Sequence, residues 1–432
     1  MKILVIGSGG REHALCHALR RTSTQQIELY CAPGSDAIAE MARCVPVGAT
    51  DVAALAAFAE TEKIDLTIVG GEAPLAAGLA DEFERRGLAV AGPRAEAAQL
   101  ESSKAFAKEF MARHKIPTAR FRVAASAADA REILLSGEFG AEDSPVVVKA
   151  DGLAAGKGVV VAATRGEALA AIADLMESGR VGREAARRVV IEEALTGVEA
   201  SLLFWTDGET YALMPPARDH KRIGENDTGP NTGGMGAITS PEVLDEATLA
   251  RVTREIVEPT LAGLRTDGLE FRGIIFIGLM LTPGGARVLE YNVRFGDPEA
   301  QAILVRLESD LVEIFAAVAH QRLKGARVEW SNDASACVVL AARGYPEQPD
   351  VGARIEGLKE LSGAMPPDVQ VFHAGTTRAT DGAWLVAGGR VLGVTARAQT
   401  LDLALERAYA AVRDIRWEGM QYRRDIGKFK RQ

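Results

Sequence analysis

Residues 273–299 read GIIFIGLMLTPGGARVLEYNVRFGDPE, and this stretch contains two apolar runs separated by a turn. Gly273–Leu281 and Ala286–Asn292 are typical of strands, and the intervening Thr-Pro-Gly-Gly segment is typical of a hairpin turn. Polar residues follow the second run directly, and a helical pattern begins at about residue 298. The stretch therefore predicts a β-hairpin whose second strand ends in a polar segment.

The end of the second strand carries two candidate metal ligands. Side chains alternate between the faces of a strand, so Glu290 and Asn292 project together while Tyr291 points the other way. Mg²⁺ prefers carboxylate and carbonyl oxygens, which water and substrate phosphates complete. Arg294, two residues further on, would stabilise the charge of a phosphoryl group in transfer. The alternative is a polar strand face that is only solvated.

A second candidate site lies at residues 148–158, which read VKADGLAAGKG. Lys149 ends a β run, and the small residues after it let backbone amides approach phosphate oxygens. The segment is not a Walker P-loop, because Gly158 and a valine-rich strand follow Lys157 where Ser or Thr and a helix are needed. We interpret it as a flap that covers phosphates, and the alternative is a flexible hairpin with exposed lysines.

The order of the elements predicts a multidomain chain of α/β and α+β class. Residues 1–103 alternate short apolar runs with Ala-rich helical patterns, which predicts a doubly wound parallel sheet. Residues 104–327 contain both candidate sites, with a mobile flap subdomain at about 121–193. Residues 328–432 predict a separate, small α+β unit. At the first boundary, residues 95–114 form one long helical pattern.

The N-terminal turn Gly9-Gly10-Arg11 lies between the first predicted strand and helix, where backbone N–H groups point toward a bound phosphate. A dinucleotide fingerprint requires glycine where Glu12 stands and an acidic residue at the end of the second strand, and this sequence lacks both. We therefore favour a single phosphate monoester, held by the turn and Arg11, over NAD. A tight turn without a ligand is the alternative.

Two further segments are rich in groups that bind polar ligands. Glu192, Glu193 and Leu195 lie at the end of a predicted strand, where backbone groups can read an adenine edge, and Glu199 begins the next strand. Paired glutamates in such a place are more often only solvated. The loop-like stretch 215–241 is rich in Gly, Pro and Asn, and its basic residues and glycine amides suit an anionic substrate.

Composition argues against several classes of function. The chain has 432 residues, a formal net charge of −9 and 25% charged residues, which suits a globular enzyme and gives no general attraction for nucleic acid or anionic membranes. Its four cysteines form no C-x-x-C pair, which indicates reduced thiols. The apolar run at the start, Ile3–Ile6, is too short for a signal-peptide core, and no run approaches the length of a membrane span. We therefore expect a cytoplasmic protein with no nucleic-acid or membrane partner.

Taken in order, these motifs resemble the ATP-grasp superfamily and, within it, the phosphoribosylamine–glycine ligase family. The resemblance covers nearly the whole chain. It rests on the following stretches: Gly7–Ala14, Ile64–Leu75, Ser102–Phe106, Lys149–Gly158, Asp219–Arg222, Asp227–Ala237 and Asn292–Glu299. The resemblance implies ATP-dependent ligation of glycine to 5-phosphoribosylamine. That reaction yields glycinamide ribonucleotide, ADP and phosphate through glycyl phosphate, in de novo purine biosynthesis.

The resemblance also implies roles for residues of this sequence. Magnesium would bind Glu290 and Asn292, with Mn²⁺ as a substitute, and Arg294 would stabilise the transferred phosphate. ATP would contact a larger set: Lys104, Lys149, Gly152, Gly156, Lys157, Gly158, Glu192, Glu193, Leu195 and Glu199. Phosphoribosylamine and glycine would contact Gly9, Gly10, Arg11, Asp219, Lys221, Asn231, Gly233 and Gly234. The expected oligomeric state is a monomer or a weak dimer.

The sequence departs from the family pattern at Gly71, Arg218 and Phe276, none of which is an expected ligand. Gly273–Leu281 contains no carboxylate, so phosphates and water are expected to supply most of the metal coordination. Three alternatives stay open: a related ATP-grasp enzyme that activates formate or bicarbonate, an NAD-dependent oxidoreductase, and a nucleotide-binding protein without turnover. The segments around Asp219 and Gly233 favour the glycine ligase over the first, and Glu12 counts against the second.

Overall fold

A computed structural model describes residues 1–154, 158–179, 182, 184–358 and 366–428 of the chain. Three larger sheets organise these residues: a parallel sheet at the N-terminus, an antiparallel sheet in the flap, and a long central sheet that continues into the C-terminal region. In the part of the chain that is described, no helix is both long and apolar enough to cross a membrane.

The N-terminal unit is a doubly wound parallel sheet, as predicted. Its strands are β1 (Lys2–Gly7), β2 (Glu28–Pro33), β3 (Arg43–Cys44), β4 (Leu66–Val69) and β5 (Val90–Ala91). Its helices are α1 (Gly10–Thr22), α2 (Val52–Glu62), α3 (Glu72–Ala76), α4 (Leu79–Arg85) and α5 (Ala95–Ser102), with a 3-10 turn at Ile38–Glu40. The strand order is β3-β2-β1-β4-β5, and every pairing is parallel. Alternate residues of β1 enter two apolar clusters, so both faces of the sheet are covered.

The helical pattern over residues 95–114 forms two helices instead of the predicted one. The second is α6 (Lys104–Arg113), which begins directly after Ser103. Ser103 has an extended backbone, with φ −137° and ψ 110°, and its hydroxyl accepts a hydrogen bond from the Phe106 N–H. A serine at such a position satisfies a free donor at the start of a helix, which is why one periodic pattern divides here.

The flap is a four-stranded antiparallel sheet with its own apolar core. Its strands are β6 (Phe121–Ala124), β7 (Val146–Ala150), β8 (Val159–Ala162) and β9 (Val189–Glu193), in the order β6-β9-β7-β8. Its helices are α7 (Ala127–Leu135) and α8 (Arg165–Ile172), and a π-helical turn at Ala173–Glu177 extends the second. Apolar residues of both helices pack against the sheet. The predicted hairpin is confirmed, because Lys149 at the end of β7 pairs with Val159 of β8.

The central sheet contains the β-hairpin that residues 273–292 predict. Its strands are β10 (Val198–Thr206), β11 (Tyr211–Leu213), β12 (Ala217–Asp219), β15 (Gly236–Thr239), β16 (Gly273–Thr282) and β17 (Gly285–Asn292). A separate two-stranded ribbon consists of β13 (Arg222–Gly224) and β14 (Thr228–Asn231), with a 3-10 turn at Glu225–Asp227 between them. The expectation of a loop over residues 215–241 is therefore wrong, since that stretch contains four short strands. Helices α9 (Glu246–Val252) and α10 (Glu258–Thr266), joined by a π-helical turn at Thr253–Val257, precede β16.

The C-terminal region is less separate than the sequence predicts. It is preceded by helices α11 (Glu299–Leu304) and α12 (Leu311–Ala319) and by a 3-10 turn at Leu323–Gly325. Its strands are β18 (Ala334–Ala341), β19 (Val369–His373), β20 (Thr376–Arg378), β21 (Trp384–Val386) and β22 (Arg390–Ala398), and helix α13 (Leu401–Asp414) follows them. Apolar residues of β18, β19, β21, β22 and α13 form one cluster together with Ala37 and Ile238, whereas α11 and α12 pack in the cluster that contains β1 and α1. However, β18 pairs with β15, so the central sheet continues through β18 and β22 to β19. The sheet thereby joins the two regions.

Candidate active site

The end of β17 places Glu290 and Asn292 on one face of the central sheet. Glu290 lies opposite Gly278 of β16, where a Cβ atom would stand 3.2 Å from its Cγ. Tyr291 packs in the apolar core, and its hydroxyl lies 2.7 Å from Thr260 Oγ1. Because strand residues alternate, Glu290 and Asn292 face the opposite side from this core.

Glu290 is surrounded by cationic side chains. Desolvation raises the pKa of Glu290, but the charges of Lys221, Lys149, Lys104 and Arg294 act in the opposite direction and bring that pKa below its ordinary value. The carboxylate is therefore ionised at neutral pH. Four cationic side chains from different segments of the chain therefore converge on this carboxylate.

The donor set fits magnesium with few protein ligands. Glu290 offers carboxylate oxygens, and Asn292 offers an amide oxygen that accepts a hydrogen bond from Arg294 at 3.2 Å and has a second lone pair for a metal ion. Among the residues that the structure covers, no group of three or more His, Cys, Asp or Glu side chains is arranged to hold a metal ion. Mg²⁺ commonly binds through one or two protein oxygens together with waters and phosphates, so the pair suits it.

Two lysines expected to bind phosphate come from helix α6 and strand β7. Lys149 Nζ lies 2.9 Å from Glu192 Oε1 and donates to the Leu289 carbonyl at 3.1 Å. Lys104 Nζ donates to the Gly152 carbonyl at 3.3 Å. The structure thus brings Lys104, Lys149 and Gly152 to the end of β17.

The flap loop is anchored on both sides of its centre. Gly156 and Lys157 lie outside the described residues. Before the gap, the Gly152 N–H donates to the Ala185 carbonyl at 2.8 Å, and after it the Gly158 carbonyl accepts from the Ala150 N–H at 2.7 Å. The loop therefore starts and ends on the flap sheet.

The two adjacent glutamates at the end of β9 have different surroundings. Glu192 is 1% exposed, and its carboxylate lies between the ammonium groups of Lys149 and Lys108, with 2.8 Å from its Oε2 to Lys108 Nζ. Glu193 instead accepts from the Arg120 N–H and pairs with the Arg120 Nε, both at 2.9 Å. Glu192 therefore belongs to the interior of the site, while Glu193 fixes the start of the flap.

The remaining residues expected to bind adenosine lie next to β9 and β10. Leu195 is half-buried in the connection between these strands. Glu199 Oε2 lies 3.0 Å from Lys221 Nζ, and Lys221 also pairs with Asp219 at 3.7 Å. This ion-pair chain connects the adenosine side of the site with the segment expected to bind the other substrates.

The N-terminal turn is supported by a buried carboxylate. Glu12 is 3% exposed, and its Oε2 accepts from the Gly9 N–H at 2.7 Å while its Oε1 pairs with Arg11 Nε at 2.7 Å. A Cβ atom at Gly10 would stand 2.8 Å from Gln301 Nε2, so the turn packs closely against α11. Glu12 occupies the position of the third glycine in a dinucleotide fingerprint, which explains why this turn lacks that geometry.

The segment 229–236 packs against residues that follow β17. The Gly233 carbonyl accepts from Arg390 Nη1 at 2.6 Å, and the same nitrogen donates to the Asp297 carbonyl at 2.6 Å. Gly234 has φ +109°, and a Cβ atom there would stand 2.6 Å from Pro298 Cδ, so only glycine fits this close approach. Asn231 ends β14 at the entrance of the same segment.

Arg294 joins the N-terminal unit to the end of β17. Its guanidinium pairs with Glu72 at 3.1 Å and with Glu101 at 2.6 Å, and Glu101 also accepts from the Val293 N–H at 2.8 Å. Burial lowers the pKa of Arg294, but the two carboxylates raise it far above its ordinary value. The Phe295 carbonyl accepts from both Arg294 and Arg11 at 3.1 Å. Arg294 therefore lies between the nucleotide side and the N-terminal turn.

Several residues of the site were not identified from the sequence. Asp151 accepts from the Ser103 hydroxyl and the Ala105 N–H at 2.8 Å each, and it pairs with Arg188 at 2.7 Å, so it attaches the flap to α6. Gln301 Nε2 donates to Asp297 Oδ1 at 2.8 Å. The polar run after β17 pointed to this region, but the partners come from distant parts of the chain.

His220, which lies beside Asp219 and Lys221, has a structural setting. It is 1% exposed, and its Nε2 accepts from the Gly427 N–H at 2.9 Å. Burial, with the nearby Arg423, lowers its pKa to about 4. His220 is therefore neutral at physiological pH and holds the C-terminal segment against the strand ribbon.

Comparisons with known proteins agree with this geometry. Profiles of the phosphoribosylglycinamide synthetase family match the chain in three parts: the N domain at residues 1–101, the ATP-grasp (A) domain at 102–300, and the C domain at 335–429. The chain belongs to the phosphoribosylglycinamide synthetase family. It is therefore an ATP-grasp ligase of purine biosynthesis, and the oxidoreductase alternative is discarded.

Similar proteins cover the whole length of this family member. The phosphoribosylamine–glycine ligase of Xylella fastidiosa is 47% identical over 99% of this chain and 97% of its own length. The crystal structure of phosphoribosylamine–glycine ligase from Thermotoga maritima has a TM-score of 0.83 and 33% identity, and the match covers 98% of this chain and 100% of that chain. A biotin carboxylase domain of Hydrogenobacter thermophilus in complex with MgADP has a TM-score of 0.71 at 16% identity, with coverage of 98% and 91%. The last similarity shows the fold alone.

Substitutions at and after the end of β17 should affect either turnover or folding stability, depending on the residue that is changed. We expect Glu290→Gln and Asn292→Ala to lower kcat by about tenfold to 100-fold or more, since losing even an outer-shell partner of a metal has such effects. Arg294→Ala is the contrasting variant. It leaves Glu101 buried without its cation, at a cost of about 3–5 kcal/mol, and so lowers the thermal unfolding midpoint strongly. Wild-type rates in the first two variants would show that the metal site is elsewhere.

The carboxyl of Glu299 makes stability depend on pH. Burial and the nearby Asp219 raise its pKa to about 7, so between its ordinary value of 4.5 and pH 7 the folded protein holds a proton that the unfolded chain lacks. Stability contributed by this group therefore falls as the pH rises through that interval. Glu299→Gln removes the ionisable group and with it this loss of stability. The thermal unfolding midpoint of the variant should therefore rise relative to wild type at pH 8 and change less at pH 5. Exposed Glu347→Gln is the control, and equal shifts at both pH values would contradict the assignment.

Proposed function

We propose that the chain joins glycine to 5-phosphoribosylamine with ATP, through a glycyl phosphate intermediate. The observation that carries this proposal is the course of residues 290–299. The segment begins at Glu290, passes Asn292 and Arg294, and reaches Asp297, which lies near Gly234 and within the electrostatic reach of Arg11. One continuous backbone thus connects the proposed nucleotide side with the proposed side of the other two substrates, and two successive transfers need these sides to be close together.

The nucleotide side would hold ATP between the flap and β17. Lys104 and Lys149 neutralise phosphate oxygens, and the backbone amides of the 152–158 loop cover them. The connection from Glu192 to Leu195 reads the adenine edge, and Glu199 accepts the ribose hydroxyls. Covering the phosphates excludes water, which would otherwise hydrolyse an acyl phosphate.

Magnesium bound by Glu290 and Asn292 would supply charge neutralisation of the ATP phosphates, with Mn²⁺ as a substitute. The chain's own residues perform the remaining tasks. Arg294 stabilises negative charge on the γ-phosphoryl group as it moves, and its two carboxylate partners keep the guanidinium in place.

The second side would hold the two remaining substrates. The turn from Gly9 to Arg11 binds the phosphate of 5-phosphoribosylamine through backbone N–H groups. Asp219, Lys221, Asn231 and the amides of Gly233 and Gly234 bind glycine and the sugar. Lys221, which lies 3.0 Å from Glu199 and 3.7 Å from Asp219, would exchange one of these carboxylates for that of glycine.

The reaction divides into two displacements. A carboxylate oxygen of glycine attacks the γ-phosphorus of ATP, and ADP leaves. The amine of 5-phosphoribosylamine then attacks the carbonyl carbon of glycyl phosphate, loses a proton, and expels phosphate with the bridging oxygen. The first step is needed because a free carboxylate resists amines until one oxygen becomes a good leaving group.

We also propose that the enzyme works in the cytoplasm as a monomer or a weak dimer. Its four cysteines are free thiols, three of them buried, as is usual in a reducing compartment. The substrates are small polar molecules, and the site lies within one chain. No part of the proposed mechanism requires a second subunit.

Isotope transfer tests the intermediate directly. Glycine labelled with ¹⁸O in its carboxylate, incubated with enzyme, ATP, Mg²⁺ and freshly generated 5-phosphoribosylamine, should give phosphate that carries one ¹⁸O atom per turnover. Phosphate without label would exclude glycyl phosphate. Omitting glycine, or replacing it with formate or bicarbonate, should abolish phosphate release, and turnover under those conditions would refute the substrate assignment.

A further inference from the structure

Lys108 is a buried lysine that the proposed mechanism does not use. It lies on the buried face of α6 among Ala105, Ala107 and Met111, and it is 2% exposed. Lysine is rarely buried to this degree without a partner that its charge requires. Its position therefore calls for a role beyond helix packing.

The ammonium group of Lys108 is held at two points. Its Nζ lies 2.8 Å from Glu192 Oε2 and donates to Thr118 Oγ1 at 2.7 Å. The Thr118 hydroxyl in turn donates to the Val288 carbonyl at 2.6 Å. Lys108 is thereby fixed between the flap strand β9 and strand β17.

Glu192 consequently has two cationic partners, and only one of them is expected to meet ATP. Lys149 pairs with Oε1 of Glu192 at 2.9 Å, while Lys108 pairs with Oε2. Burial lowers the pKa of Lys108 to about 8, with Lys149 contributing, so the group is mainly charged at neutral pH. Two ammonium groups therefore share one carboxylate, and the cluster keeps one net positive charge.

This arrangement decides how strongly Glu192 competes with phosphate for Lys149. With Lys108 present, half of the carboxylate is already neutralised, and Lys149 can turn toward a phosphate without leaving a buried carboxylate unpaired. Without Lys108, the whole charge of Glu192 falls on Lys149. We propose that Lys108 is a positioning residue that keeps Lys149 available to the phosphates of ATP, an inference that rests on the proposed nucleotide site.

The test compares binding of ATP with binding of adenosine, which lacks phosphates. Affinities are measured by displacement of a fluorescent adenine nucleotide, with Mg²⁺ and without glycine or 5-phosphoribosylamine. Lys108→Met keeps the volume of the side chain and removes its charge. The ratio of ATP affinity to adenosine affinity should fall about tenfold or more, as for the loss of a charge-assisted contact. Equal weakening of both ligands, or no change, would overturn the proposal.

A second substitution distinguishes positioning from a general structural role. In Lys108→Met combined with Glu192→Gln, no carboxylate holds Lys149, so the affinity ratio should return to within about threefold of wild type. A further fall in the ratio would contradict the proposed competition. Because each ratio is taken within one variant, a change in adenine binding caused by Glu192→Gln cancels.

Two further variants keep the test decisive if Lys108→Met does not fold. Thr118→Val removes the second anchor of Lys108 and should lower the ratio in the same direction, by less. Glu192→Gln alone should raise the affinity ratio, and a decrease would overturn the proposal.

A wild-type ratio close to one would show instead that no phosphates bind here, which overturns the nucleotide site itself and the role of Lys108 with it. Thermal unfolding midpoints confirm that each variant is folded.

Discussion

Four cationic side chains converge on the carboxylate of Glu290 at the end of β17, and such a cluster is stable only while nearby anions balance its charge. The protein supplies that balance through Glu192, Glu199, Asp219 and the carboxylates that hold Arg294. The triphosphate would take over part of this balance when it binds. This constraint explains why the cations are held by ion pairs that can be exchanged for phosphate oxygens, and why few carboxylates are available to bind a metal without the nucleotide.

The fold brings these charges together from separate units. The flap sheet contributes Lys149, helix α6 contributes Lys104 and Lys108, and the N-terminal unit contributes the carboxylates that pair with Arg294. The central sheet continues into the C-terminal region through β15 and β18, so Arg390 reaches the segment after β17. Every unit thus contacts β17 or the segment that follows it, which makes this stretch the common support of both halves of the site.

Local pattern predicted what depends on local geometry. The alternation at Glu290, Tyr291 and Asn292 follows from strand period, and the β7–β8 hairpin follows from a glycine-rich stretch between two valine runs. The helical pattern over residues 95–114 did not show that it divides at Ser103. The Gly-rich stretch 215–241 forms short strands because it pairs with strands that are distant in sequence, which a local pattern cannot show. Lys108 and Gln301 were missed for the same reason, since their partners lie far away in sequence. The roles of the expected ligands stay predictions.

Metal binding should depend on the nucleotide, since two oxygen ligands among four cations form a poor site alone. Calorimetric titration of Mn²⁺ into the enzyme tests it, first without nucleotide and then with a saturating non-hydrolysable ATP analogue, with the analogue alone as the blank. We expect no measurable binding to the free enzyme and clear binding above the blank in the complex, weakened by Glu290→Gln. Tight binding of Mn²⁺ to the free enzyme would contradict this expectation.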